Sequence, residues 1–173
     1  AGDVPLPTTP GARNEVGYPL FGLWDRAVTG WNDANGDGVI TDSEITVTDA
    51  IQYRGPTLPT REAGFGTTVG LFNNSLQFNA LFDYRGGFYK YWQLEQWRCV
   101  SSSNCRAVND PSASIEDQVA AVAANSSSKR TLWGYFVPND FVKFREFSVA
   151  YNVPERFTSR FGGARATTIV LSG

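Results

Sequence analysis

Two alternating runs on either side of a short polar break restrict the fold of this chain more than any other feature. In REAGFGTTVGLF, Phe65, Thr67, Val69 and Leu71 share one parity, and Gly64, Gly66, Thr68 and Gly70 the other. After Asn73-Asn74-Ser75, the run LQFNALFDYR places Leu76, Phe78, Ala80, Phe82 and Tyr84 on one side. Gln77, Asn79, Asp83 and Arg85 lie opposite, with Leu81 out of pattern. Successive strand residues point to opposite faces, so this pattern specifies two strands, apolar on one face, joined by a tight turn into a long β-hairpin. Strands of about ten residues match those that cross a bilayer, apolar toward lipid and polar toward a lumen. A soluble sandwich hairpin alternates in a similar way. The strand length and the terminal aromatics favour the membrane.

The rest of the chain extends the β reading. NDFVKFREFSVAYNVP predicts a third strand whose parity slips: Val142 and Phe144 hold one phase, and Phe147, Val149 and Tyr151 the other. A bulge near Arg145-Glu146, or an upper half that stands clear of the bilayer, accounts for the slip. Arg145 and Glu146 are expected to form a rim or lumen charge pair. RATTIVLSG starts a fourth strand. Near the beginning, residues 1–13 read as irregular; then Val16, Tyr18, Leu20 and Trp24 alternate in NEVGYPLFGLWDRAVTGW. Pro19 and the glycines argue against a helix there and allow an edge or bulged strand. Four or five strands cannot close a membrane barrel, which needs at least about eight. An open sheet in lipid would leave backbone groups unpaired. A transmembrane hairpin therefore implies a segment of a larger protein.

Between the first strand and the hairpin lies DANGDGVITDSE, residues 33–44. It fits the EF-type calcium pattern, with oxygen-bearing side chains at loop positions one, three, five, nine and twelve and Gly38 at six. Asp33, Asn35 and Asp37 would supply three ligands and the Val39 carbonyl a fourth. Thr41 would add one directly or through water, and Glu44 one or two. Ile40 is expected to pin the loop to apolar surface. Asn-Gly and Asp-Gly are strong turn formers without an ion as well. A true EF-hand carries a helix on each side. Here Gly22 and Gly30 precede the loop and the β-branched run ITVTDAIQY follows it. The expectation is Ca2+ bound by a loop at 31–45 on a β scaffold, a structural clamp and not a sensor switch.

Composition removes several chemistries. The chain has no His and two Cys, so Ser-His-Asp, Cys-His and His-containing or four-Cys zinc sites are impossible. A net charge of −2 gives no electrostatic case for nucleic acid. The opening AGDVPLPTTPG lacks the parts of a signal peptide, so either one has been removed or the chain is a piece of something longer. Cys99 and Cys105, in WRCVSSSNCRA, suggest a small disulfide in an oxidising compartment; free thiols are the alternative if the protein is cytosolic. Both lie in a long insertion at 86–140. Its aromatics Phe88, Tyr89, Tyr91, Trp92 and Trp97 suit an interfacial girdle or loop packing, and less well a ligand-contacting patch. Ser114 can cap a short Ala-rich helix near 115–124, with Glu116 and Asp117 in its first turn.

Taken in order, these features resemble the C-terminal barrel segment of SusC/RagA-like TonB-dependent outer-membrane transporters. The matching runs are VGYPLFGLW, WNDANGDGVIT, YRGPTLP, GFGTTVGLFNNSLQFNALFDYRGG and NDFVKFREFSVAYNVPERF. The last carries the family's late F-x-K-x-R-x-x-S-x-x-Y-x-x-P pattern on Phe141, Lys143, Arg145, Ser148, Tyr151 and Pro154. The resemblance covers most of residues 14–173; the Cys-bearing insertion departs from it. It implies a large plugged barrel of about 22 strands, whose plug, TonB-contacting segment and final strands are not in this sequence. It further implies import of oligosaccharides or peptides, with a SusD-like surface lipoprotein as lid and the TonB complex as partner. Under it the turn at Asn73–Ser75 is periplasmic, so residues 31–45 and the 86–140 loop face outside the outer membrane.

The expected fold is thus mainly β: antiparallel strands of a partial transmembrane barrel, with long extracellular loops and one short helix. The expected function is nutrient uptake by binding and gated passage, with no enzymatic step. The alternative is a secreted calcium-binding β domain for adhesion or glycan binding. A two-carboxylate glycosidase ranks last, because nothing in the spacing of Asp83, Glu95 and Asp140 selects a pair.

Overall fold

A computed structural model describes residues 4–5, 10–158 and 167–173. Most of the opening irregular segment and residues 165–166, at the start of the expected fourth strand, lie outside the described residues. The elements are β1 (Val4–Pro5), β2 (Ala12–Asn14), β3 (Gly22–Trp31), a 3-10 turn (Asp42–Glu44), β4 (Ile45–Pro56), β5 (Arg61–Leu71), β6 (Leu76–Gly86) and β7 (Tyr89–Tyr91). They continue with α1 (Gln93–Val100), α2 (Arg106–Asn109), α3 (Ile115–Asn125), a second 3-10 turn (Trp133–Tyr135), β8 (Phe136–Pro138), β9 (Phe141–Val153), α4 (Glu155–Thr158) and β10 (Thr167–Ser172). The structure is mainly β, 46% strand, with antiparallel sheets; the described residues close no barrel. The chain divides into two compact units, residues 1–60 with 87–139, and residues 61–86 with 140–173.

The second unit is a four-stranded antiparallel sheet in the order β10-β9-β6-β5. The hairpin is as the alternation predicts: β5 and β6 pair without a break from Arg61↔Gly86 to Leu71↔Leu76. Its turn bends through left-handed backbone at Phe72, Asn73 and Asn74 (φ 52°, 54° and 62°), a conformation that asparagine tolerates better than most residues. β9 pairs with β6, and the register slips where the sequence predicts: Leu81 faces Glu146, but Phe82 faces Phe144. Arg145 is the extra residue of a β-bulge. The expected Arg145–Glu146 pair does not form. Arg145 instead reaches across to Asp83 on β6 at 2.6 Å. The bulge puts Arg145 and Glu146 on the same side of the sheet, and Asp83 is the carboxylate across the ladder from them.

In the first unit one antiparallel sheet runs β1-β2-β3-β4, and β7 pairs separately with β8. β3 against β4 shifts register at three places, so the expected bulged strand is present. It begins at Gly22, however, and not at Val16. Gly17 (φ 89°) and Phe21 (φ 58°) turn the chain before it, leaving Val16 and Leu20 exposed. Tyr18 alone of that alternating set packs against the strand, edge-on to Trp24 with ring centroids 4.5 Å apart.

Residues 86–140, expected as a long loop with one helix, are largely organised. α3 forms over Ile115–Asn125, and Ser114 caps it by accepting from Asp117 N at 3.2 Å. Its small side chains are buried on two sides. Val119 and Ala123 join Ile40 and Ile45, while Ala120, Ala121 and Ala124 join Cys99, Cys105 and Tyr135. Leu23 and Phe136, with Ala12, form a third cluster beneath Tyr89 and Tyr91. Gly134 lies close against α3: a methyl there would meet Ala120 Cβ at 2.4 Å and Ala120 Cα at 2.9 Å. Neither atom can move without shifting α3. Gly134→Ala is expected to destabilise the protein by about 1–3 kcal/mol through overpacking, read as a lowered midpoint in thermal or urea unfolding.

Candidate functional site

The aspartate loop folds around its own carboxylates. Asp33 Oδ1 accepts from Gly36 N at 2.8 Å and Asp37 N at 3.2 Å, and Oδ2 from Gly38 N at 2.9 Å. Asp37 Oδ1 accepts from Val39 N at 2.8 Å, and its other oxygen from Asn35 Nδ2 at 2.8 Å. Gly36 and Gly38 take left-handed backbone (φ 71° and 75°), the bend that wraps the chain about Asp33. Glu44 closes the ring. Its Oε1 accepts from Ala34 N at 3.0 Å, and its Oε2 from Thr41 N at 2.9 Å and Thr41 Oγ1 at 2.8 Å. The Thr41 hydroxyl and the amides of Thr41 and Ala34 hold the Glu44 carboxyl below its usual value.

The donor set of Asp33, Asn35, Asp37, the Val39 carbonyl, Thr41 and Glu44 is all oxygen and three-fold anionic, the chemistry that suits a hard divalent cation. Most of these oxygens are engaged with loop amides, and the carboxylates do not gather closely. Among the described residues, the one group of such ligand atoms lying within 4.8 Å of each other is Glu95, Cys99 and Cys105. There the two sulfurs are bonded to each other, so no thiolate is offered. An ion in the aspartate loop would draw Asp33, Asp37 and Glu44 inward and exchange amide hydrogen bonds for coordination.

The loop's far side is fixed by residues with no signal in the motif. Ile40 is buried, as its apolar character predicts. Gln118 on α3 accepts from Ile40 N at 3.0 Å and donates to Gly38 O at 3.0 Å. Lys129 Nζ donates to Asp42 O at 2.5 Å and Ile45 O at 2.8 Å, satisfying carbonyls at the end of the loop. Asp25 on β3 accepts from Leu132 N at 2.7 Å, and the buried Thr131 hydroxyl donates to Arg26 O at 2.6 Å. Each of these contacts spans some eighty residues or more of sequence, which is why local pattern does not reveal them.

Cys99 and Cys105 are joined, as the sequence suggests, and buried where α1 meets α2. Of the five aromatics expected as a girdle or patch, Phe88 is buried, and the other four divide. Tyr89 lies against Gly55, where a methyl would come within 2.3 Å of its ring, and carries the Arg54 guanidinium over its face at 5.0 Å. Tyr91 packs edge-on to Phe136 and donates to Gln96 Oε1 at 2.9 Å; burial pushes its hydroxyl pKa up. Both are half-buried and held by these contacts. Trp92 and Trp97 stay open, 50% and 60% exposed. Of the three carboxylates considered for glycosidase chemistry, Asp83 holds Arg145, Glu95 holds Arg98 at 2.9 Å, and Asp140 accepts from Tyr84 Oη at 3.3 Å.

The sheet of the second unit has two unlike faces. By register, one carries Phe65, Val69 and Leu71 on β5, and Leu76, Phe78 and Phe82 on β6. β9 adds Val142, Phe144, Phe147, Val149 and Tyr151, and β10 adds Ile169 and Leu171. Its rings stack across strands, with Phe82 and Phe144 centroids 5.0 Å apart. Yet much of it is open: Phe65 is 63% exposed, Phe144 54% and Leu171 71%. The opposite face is tied by polar pairs. Thr68 Oγ1 donates to Asn79 Oδ1 at 2.8 Å, Asn79 Nδ2 to Ser148 Oγ at 3.1 Å, and Thr168 Oγ1 to Asn152 Oδ1 at 2.8 Å.

No protein-family model matches the chain. A search of curated proteins finds no match either. No helix among the described residues is long and apolar enough to cross a membrane, which says nothing of strands.

Outside the loop, the most perturbed carboxylate is Asp110, held down to about 2 by the Ser112 hydroxyl and amide and by Arg106. A depressed carboxylate stabilises the fold above its unfolded value and loses that effect as pH falls through its folded value. The Asp110–Ser112 turn after α2 is therefore expected to persist through pH 3 and to open as pH approaches 2. Amide exchange at Ser112 followed against pH checks this, and Asp110→Asn should abolish the acid dependence.

Proposed function

We propose that this chain is a stretch of a SusC/RagA-like TonB-dependent outer-membrane transporter, and that β5, β6, β9 and β10 lie in the outer membrane as part of its barrel. The observation that carries the reading is the two-faced sheet. Soluble proteins rarely leave so large a contiguous apolar face open to water, whereas in a bilayer that face meets hydrocarbon. The opposite face, with its Thr, Asn, Ser, Asp and Arg pairs, suits a polar lumen. β5 and β10 each present one outer edge, and in lipid these backbone groups require neighbouring strands. The sheet is thus read as an arc of a closed barrel completed by other strands of the protein.

In this reading the Asn73–Ser75 turn is periplasmic, and residues 31–45 and the 86–140 loop face outside, where an oxidising medium suits the Cys99–Cys105 bond. The aspartate loop binds Ca2+ there as a clamp. External calcium at millimolar levels fills even a weak EF-type site. The transported molecule is an oligosaccharide or peptide, taken from under a SusD-like lipoprotein lid. Energy comes through the TonB complex, and the chain does no covalent chemistry.

Phe65→Arg and Thr68→Arg separate the two faces. In the full-length transporter, Phe65→Arg places a cation toward lipid and should cost about 2–4 kcal/mol near mid-bilayer. It should abolish the heat-modifiable folded band on a gel. Thr68→Arg, facing the lumen, should leave that band. Equal behaviour of the two variants, or secretion of the wild type as a soluble protein, would overturn the membrane reading. For the loop, calorimetric titration with calcium chloride should give a saturable isotherm that Asp37→Ala removes; identical traces from both proteins would reject the metal.

A further inference from the structure

The peptide unit between Val39 and Ile40 has its oxygen at the seventh loop position, where an EF-type loop offers a main-chain ligand. Its N–H is not left to water. Ile40 is buried, and its N–H donates to Gln118 Oε1 at 3.0 Å. The same carboxamide donates from Nε2 to Gly38 O at 3.0 Å and to Ala113 O at 3.1 Å. Gln118 is itself only 3% exposed and sits on α3, between Asp117 and Val119. One carboxamide therefore grips the chain on both sides of Val39, as the edge of a neighbouring strand would.

Two consequences follow for the Val39 oxygen. In a trans peptide the C=O and N–H point in opposite directions, and the described residues include no cis bond. With the Ile40 N–H held on Gln118, the Val39 C=O is turned away from α3. A buried hydrogen bond on the N–H end also polarises the whole peptide unit and strengthens its oxygen as an acceptor. Loop amides hold Asp33, Asn35, Asp37 and Glu44 locally, whereas the peptide at position seven takes its orientation from α3.

We propose that Gln118 is a positioning residue of the metal loop, which orients and polarises the Val39 carbonyl so that α3 sets the affinity of the loop for calcium. The proposal rests on the calcium reading above. Outer-layer hydrogen-bond partners of metal ligands commonly change affinity by about 10–100-fold when removed. By linkage, calcium should in turn protect the Ile40 amide and the α3 amides from exchange.

The test compares the full chain with Gln118→Leu and Val119→Ala, titrating each with calcium chloride by calorimetry and following amide exchange with and without calcium. Val119 lies in the same apolar cluster as Ile40, so Val119→Ala loosens α3 without touching the carboxamide. Gln118→Leu should weaken calcium binding about tenfold or more and expose the Ile40 amide to exchange even without calcium. Val119→Ala should lower the unfolding midpoint but leave the affinity within about twofold. If Gln118→Leu binds as the wild type does, positioning by Gln118 is wrong while the calcium site stands. If Val119→Ala weakens binding as much as Gln118→Leu, α3 acts through folding alone and the proposal fails. A wild type that takes up no calcium removes the metal reading, and this proposal with it.

Discussion

Side chains of a strand alternate between two faces, so a sheet stays apolar on one side only while every strand keeps its phase. β9 starts in one phase, with Val142 and Phe144, and ends in the other, with Phe147, Val149 and Tyr151. An uninterrupted strand would throw half of these residues onto the side occupied by Asn79, Ser148 and Asp83. The single extra residue at Arg145 prevents this. It resets the phase against β6, and its guanidinium finds Asp83 on the polar side. The continuous apolar face, and with it the functional reading, depends on that one insertion.

α3 plays the corresponding part in the first unit. A helix that buries opposite sides must be thin, and Val119, Ala120, Ala121, Ala123 and Ala124 make it so. One side closes over Ile40 and Ile45 beside the aspartate loop, and the other over the disulfide and Tyr135. A larger residue at Ala120 or Ala123 would push away one neighbour or the other. The backbone of Gly134 lies close enough to Ala120 to leave no slack.

What the sequence makes legible follows from how local each cause is. The hairpin, the bulge, the Ser114 cap and the close cysteine pair are specified by residues within a few positions of each other, and the structure has them where the pattern puts them. Val16, Tyr18 and Leu20 imitate a strand because alternation alone cannot register that Gly17 and Phe21 adopt left-handed backbone. α1 is hidden for a different reason: Tyr91, Trp92 and Trp97 look like an aromatic belt, although Trp97 stands on a helix and Tyr91 is folded against Phe136. Gln118, Lys129 and Asp25 are out of reach altogether. Their partners are distant backbone groups, and a backbone amide has no identity in a sequence.

The pairing of β7 with β8 bears on how the sheet comes together. β6 and β9 are neighbours, but roughly fifty residues run between them, and closing a flexible loop of that length carries an entropic cost that grows with the logarithm of its size. Tyr89 pairs with Pro138, and Asn139 N donates to Phe88 O at 3.0 Å, so the excursion is zipped shut at its neck. Once that neck has formed, the span left to close is only a few residues, which lowers the closure cost by about 2 kcal/mol. The order of events then matters: a neck formed early turns a distant strand pairing into a nearly local one. A longer excursion would then raise the cost of forming the neck, while the pairing of β6 with β9 stays nearly local.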